Sequence, residues 1–135
     1  MPMRKGFTTP GLAMRILLVD DEPLLLKSFT RYLGGVCGHD VVCAHGGGEA
    51  LAQLETGEAV DLIFCDLTMP DIDGVEVHRA IRDDHPEWRG RFVFLTGGVT
   101  DDATDHYLRN SGALVLSKPV RHIAFDKVLA DASGA

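Results

Sequence analysis

Nowhere does this 135-residue chain string together the roughly 18 apolar residues that a membrane span requires. Its opening stretch, MPMRKGFTTPGLA, has basic residues but no apolar centre, so it does not read as a secretory leader. Residues 1–13 are expected to be a flexible tail, with Met14 an alternative start. Cysteine is scarce: Cys37, Cys43 and Cys65 form no C-x-x-C pair, and their number is odd. They read as reduced, packed thiols of a cytoplasmic protein rather than a redox or metal centre. The six histidines never fall at H-x-x-x-H spacing and read as solvated side chains. A basic surplus is also missing. With 13 basic against 20 acidic residues, the net charge of −7 excludes a free-standing nucleic-acid binder.

What is present is ordinary globular composition, 45% hydrophobic and 24% charged, enough for one packed core. Short apolar runs at 15–20, 40–44, 62–66, 91–96 and 114–117 predict five strands. They are continuous (LIFC, FVFL) rather than alternating, which predicts a parallel sheet covered on both sides. Helical patterns lie between them. One begins at Pro23, carries Leu25, Phe29 and Leu33, and is expected to stop at Gly34–Gly35. Another, 48–55, repeats Ala50, Leu51 and Leu54. A third, 75–84, repeats Val77, Ala80 and Ile81. The fourth follows Thr100 as N-cap, with Asp101 and Asp102 placed for the helix dipole. The fifth, 122–132, aligns Phe125, Val128 and Leu129. Strand and helix alternate five times, which predicts a doubly wound α/β fold. No repeat or output domain is expected, and residues 133–135 read as a second tail.

Ligands of an open parallel sheet bind beyond the carboxyl ends of its strands. The predicted strands end in Asp20 and Asp21, in Asp66, in Thr96 and in Lys118. Any one of these alone reads as a helix cap or a surface residue. Together they put three carboxylates, a hydroxyl and an ammonium on one rim. Acids so crowded call for a cation, and oxygen ligands point to Mg²⁺. Metal, cation, hydroxyl donor and a carboxylate nucleophile make up a set for phosphoryl transfer.

The segments ILLVDDEP, DLIFCDLTMPDIDG, FVFLTGG and LSKPV resemble, in order and spacing, the receiver domain of two-component response regulators. The resemblance covers 14–132, and AHGGGEAL fits it as well. It implies a flavodoxin-like five-stranded sheet of order 2-1-3-4-5, and a signalling module rather than a metabolic enzyme. It implies that Asp66 accepts a phosphoryl group from a sensor histidine kinase or hybrid kinase. Asp21, Asp66 and the Thr68 carbonyl would ligate Mg²⁺ or Mn²⁺, with Asp20 acting through water. Thr96 and Lys118 would hold the phosphoryl oxygens, and Lys118–Pro119 would be cis. The TMPDIDG loop would flank the acceptor, with Gly74 at its turn into the third helix.

One position departs from the family pattern. Three residues before the lysine, where Phe or Tyr usually rotates on phosphorylation, stands Val115, so a muted or rerouted switch is expected. Gly97 and Gly98 read either as a flexible loop or as an opening of the site to water and a partner histidine. Such a TGG resembles receivers of hybrid kinases, and with the small Thr68 it predicts a short-lived phosphoryl group. A weak homodimer through the last helices, using Phe125 or Arg121, is open, as is a monomer. Two rival readings are a dehalogenase-type phosphohydrolase, which would need D-x-D at the first strand and a cap region, and a receiver kept for protein contacts alone.

Overall fold

The computed structural model describes residues 13–98 and 100–132. Five parallel strands, β1 (Arg15–Val19), β2 (Asp40–Ala44), β3 (Leu62–Asp66), β4 (Arg91–Thr96) and β5 (Leu114–Ser117), form one sheet in the order β2-β1-β3-β4-β5. The helices are α1 (Pro23–Thr30), α2 (Gly47–Glu55), α3 (Gly74–Asp84), α4 (Asp102–Ser111) and α5 (His122–Ala132). This is the doubly wound fold that the pattern predicts, in the flavodoxin-like strand order that the family resemblance implies. The tails expected at 1–13 and 133–135 lie, apart from Ala13, outside the described residues.

Strand side chains alternate between the two faces of a sheet, and the core divides accordingly. Leu17, Val19, Ile63, Cys65, Phe92 and Phe94 join Ala50 and Leu54 of α2 and Val77 and Ile81 of α3. Ile16, Leu18, Leu62, Phe64, Val93 and Leu95 join Leu26 and Phe29 of α1 and Phe125, Val128 and Leu129 of α5. The continuous apolar runs of β1 and β3 therefore reflect burial on both faces. The edge strands do not follow that expectation. In β5 three of four residues are exposed and β2 is half-buried, because each has a neighbour on one side only. No residue of α4 is buried among the described residues, which leaves β5 open on that flank.

Several local boundaries differ from the sequence expectation. Gly34–Gly35 do not stop the first helix: α1 continues into a π-wound turn, Arg31–Val36, in which the Cys37 amide reaches the Tyr32 carbonyl at 2.9 Å. Burial of Leu33 holds this turn down, and Tyr32 stacks on His122 at 3.7 Å and donates to Asp126 of α5. On α1 the buried residues are Leu26 and Phe29, with Leu25 only partly covered. Helices α2 and α3 begin one residue early, at Gly47 and Gly74, and β1 ends at Val19 rather than Asp20. Asp101, not Thr100, caps α4, accepting from the Thr104 amide at 2.7 Å, while the Thr100 hydroxyl meets the Asp105 carboxylate. His78 is half-buried rather than solvated: Nδ1 meets the Tyr107 hydroxyl at 2.7 Å and the ring packs edge-on against Phe92. Cys65 is buried, while Cys37 and Cys43 are partly covered. Phe125 is fully enclosed between Phe29 and Phe64, which removes it from any dimer surface.

Candidate functional site

The parallel register brings the carboxyl ends of β1, β3, β4 and β5 to one rim. Asp20 leaves β1 with its amide still bonded to the Ala44 carbonyl of β2 at 3.1 Å, so the sheet fixes its backbone. Its Oδ1 accepts from the Glu22 amide at 2.9 Å and Oδ2 from Lys118 Nζ at 3.1 Å. Asp66 closes β3, and its Oδ2 lies 3.3 Å from the same Nζ. Lys118 follows β5; its amide donates to the Thr96 carbonyl at 2.7 Å, and the Lys118–Pro119 bond is cis. Asp21 stands exposed at the mouth. Carboxylate oxygens of Asp20, Asp21 and Asp66 all lie within 4.8 Å of one another.

Burial and charge set the electrostatics. Asp20 is 1% exposed and Asp66 5%, so neither carboxylate is freely hydrated. Burial, then the neighbouring charge of Asp20, pushes the Asp66 carboxyl above its ordinary range, against the pull of Lys118. Burial alone would lower Lys118, but its hydrogen bond to Asp20 and the charges of Asp66 and Asp20 hold it above the usual lysine value. One ammonium does not balance three carboxylates. The excess negative charge, the purely oxygen donor set and the exposed third member fit a hard divalent cation.

Other expected site residues lie around this cluster. Thr68 is exposed in the loop after β3, with its amide 3.4 Å from Asp66 Oδ1. The Thr96 hydroxyl turns to the Gly98 carbonyl at 3.3 Å and accepts the Gly98 amide at 3.4 Å, so its contacts are with the following loop. Val115 sits on β5 opposite Phe94, 38% exposed. Gly74 does more than turn the chain. A Cβ there would come 2.6 Å from the Asp66 carbonyl oxygen, so only glycine lets α3 start against the end of β3. Sequence reading passed over Asp71, whose carboxylate reaches the first amides of α2. The signal was available in the bare GGG turn, which lacks a capping side chain of its own.

A doubly wound sheet with an acidic cluster and a lysine at its carboxyl rim defines a class of small cation-ready α/β modules. Within that class the match is specific: residues 16–130 fit the response regulator receiver domain, and the chain belongs to that family. The transcriptional regulatory protein TrcR of Mycobacterium tuberculosis is 35% identical over 97 residues, covering 70% of this chain and 36% of TrcR. The CAI-1 autoinducer sensor kinase/phosphatase CqsS of Vibrio cholerae is 30% identical over 118 residues, covering 86% of this chain and 17% of CqsS. The chain thus spans a minor part of the curated relatives it matches. Among solved structures, the chemotaxis protein CheY4 of Vibrio cholerae superposes with a TM-score of 0.77 at 26% identity, over 89% of this chain and 98% of that one. A CheY-like receiver protein of Methanospirillum hungatei gives 0.76 at 28% identity, over 90% and 95%. These likenesses set the chain among signalling receivers rather than metabolic enzymes.

Proposed function

We propose that this receiver accepts a phosphoryl group on Asp66 from the phosphohistidine of a sensor or hybrid histidine kinase, in a reaction that depends on a divalent cation. The observation that carries this reading is the convergence of buried Asp66 with Asp20 and Asp21, with the Lys118 ammonium 3.3 Å from Asp66. A carboxylate oxygen of Asp66 attacks phosphorus; the P–N bond breaks, an acyl phosphate forms, and the kinase imidazole leaves. Mg²⁺, or Mn²⁺ in its place, would be held by Asp21, Asp66 and the Thr68 carbonyl, with Asp20 acting through water; bound there, it supplies charge neutralisation on the transferring oxygens. Lys118 exchanges part of its contact with Asp66 for a phosphoryl oxygen. The Thr96 hydroxyl leaves Gly98 to donate to another.

With Val115 where an aromatic relay would stand, the response passes to partners in muted form through protein contacts in the cytoplasm, without direct nucleic-acid binding. The test is phosphoryl transfer from a panel of autophosphorylated histidine kinases, with and without EDTA. Transfer to the wild type that Asp66→Asn abolishes is the expected result. Transfer that persists in Asp66→Asn, or that ignores EDTA, would overturn the proposal. The intact charge cluster also bears on the third reading, a domain kept for contacts alone: that domain would accept no label from any kinase.

A further inference from the structure

Helix α2 starts without a cap of its own. Its N-cap is Gly46, which has no side chain to accept the first amides, and Gly47 and Gly48 prolong the bare turn. Those amides need acceptors. Asp71, in the loop 67–73 between β3 and α3, supplies both: Oδ1 accepts from the Gly47 amide at 3.3 Å and Oδ2 from the Gly48 amide at 3.0 Å. The Gly48 and Ile72 amides hold its carboxyl below the ordinary aspartate range.

A second contact reinforces this one. A Cβ on Gly47 would fall 2.5 Å from the Ile72 carbonyl oxygen, so loop backbone lies directly against the glycine turn. Elsewhere the loop is held at its ends and by the burial of Met69 in the core. The Leu67 amide donates to the Leu95 carbonyl at 2.8 Å, the Gly74 amide to the Leu67 carbonyl at 2.9 Å, and Asp73 with Glu76 forms a capping box on α3. Thr68 lies between the first anchor and Asp71. Helix α2 adds a polar hold on the exposed Asp71, beyond the hold that burial of Met69 provides.

We infer that Asp71 is a positioning residue of the phosphoryl site: seated on the first turn of α2, it fixes loop 67–73 and with it the backbone carbonyl of Thr68 beside Asp66. The inference rests on the proposed cation-dependent reading. The link runs both ways, since a cation that orders Thr68 must also tighten the contact of Asp71 with α2.

The full chain tests it by Mg²⁺ titration followed at the amides of Asp20, Asp21 and Asp66, together with hydrogen exchange at Gly47 and Gly48. Asp71→Ala is expected to weaken Mg²⁺ binding roughly tenfold, the low end for changes to groups that orient metal ligands. Asp71→Asn, which keeps one of the two oxygen acceptors, is expected to recover part of that loss. Gly47→Ala retains Asp71 but displaces Ile72, and is expected to weaken binding as well. In the wild type Mg²⁺ should slow exchange at Gly47 and Gly48, and in Asp71→Ala it should not. If the wild type binds Mg²⁺ and Asp71→Ala binds it equally well, the positioning role is wrong while the proposed function stands. If the wild type binds none, both are wrong.

Discussion

Asp66 is held in a folded environment that disfavours its charge, and this has a consequence for stability in the absence of metal. Its carboxyl titrates above the ordinary range, so the folded state binds a proton more readily than the unfolded chain. The contribution is favourable below the ordinary carboxylate pKa and is lost as pH rises through the raised value. At neutral pH the ionised side chain therefore opposes folding. Asp66→Asn, measured in EDTA by thermal unfolding at neutral pH, is expected to raise the melting temperature. A variant less stable than the wild type would contradict this electrostatic account. His78 provides a second titration. Burial, then the charge of Arg82, lowers its imidazole pKa below the ordinary value, while Arg79 and Tyr107 stand close by. Its contribution is present above about pH 6.5 and fades as pH falls from there towards its lowered value. An NMR titration should find the His78 midpoint below the ordinary imidazole value of about 6.5; a midpoint above it would refute the assignment. Asp20, Asp66 and Lys118 were legible as sequence because their residue types are unusual at the ends of apolar runs. Asp71 was not, because its partner amides lie 23 and 24 residues away and no short pattern joins them.

Helix α4 is the least anchored of the five helices, and at this scale the molecule's unevenness becomes a measurable property. With no buried residue among those described, it rests on partly covered Tyr107 and Leu108 and on the Tyr107–His78 hydrogen bond. Local opening follows the amount of buried apolar contact. Amides in the middle of α4 are therefore expected to exchange faster than those of α3 or α5, each of which buries three residues. Equal protection across the three would contradict this. Tyr107→Phe removes the hydroxyl while keeping the ring, and is expected to cost about 0.5–1.5 kcal/mol in chemical denaturation and to speed exchange in α4 further. The elements themselves were readable from their apolar composition: β2, β3, β4 and β5 lie where the apolar runs predict, as does α5, although β2 and β5 are only partly buried. The π-wound turn after α1 was hidden. Two glycines ordinarily end a helix, and only the tertiary grip on Leu33 and Tyr32 carries the chain past them.

On the scale of the whole molecule, two apolar layers clamp one sheet, and the rim that carries the charges is only as exact as that clamp. Within one of these layers Phe125 ties α5 to α1 and to the sheet, edge-on to both Phe29 and Phe64 at 5.0 Å. Phe125→Ala is expected to cost about 3–5 kcal/mol by chemical denaturation; a loss below 1 kcal/mol, by the same scale, would mean that the site's framework does not depend on this layer. Sequence alone conveyed strand order through the family resemblance and the layers through periodicity. It could not convey the open flank at β5, since exposure of an edge depends on how tightly a distant helix packs. The central claim is that carboxylates from separate strands gather around a divalent cation so that one of them can carry phosphorus. The most direct measurement is incubation with acetyl phosphate, with and without Mg²⁺, followed by intact-mass analysis and peptide mapping. The account requires a single phosphoryl group on Asp66 that appears only with Mg²⁺. Labelling at another residue, labelling without Mg²⁺, or no labelling at all would contradict it.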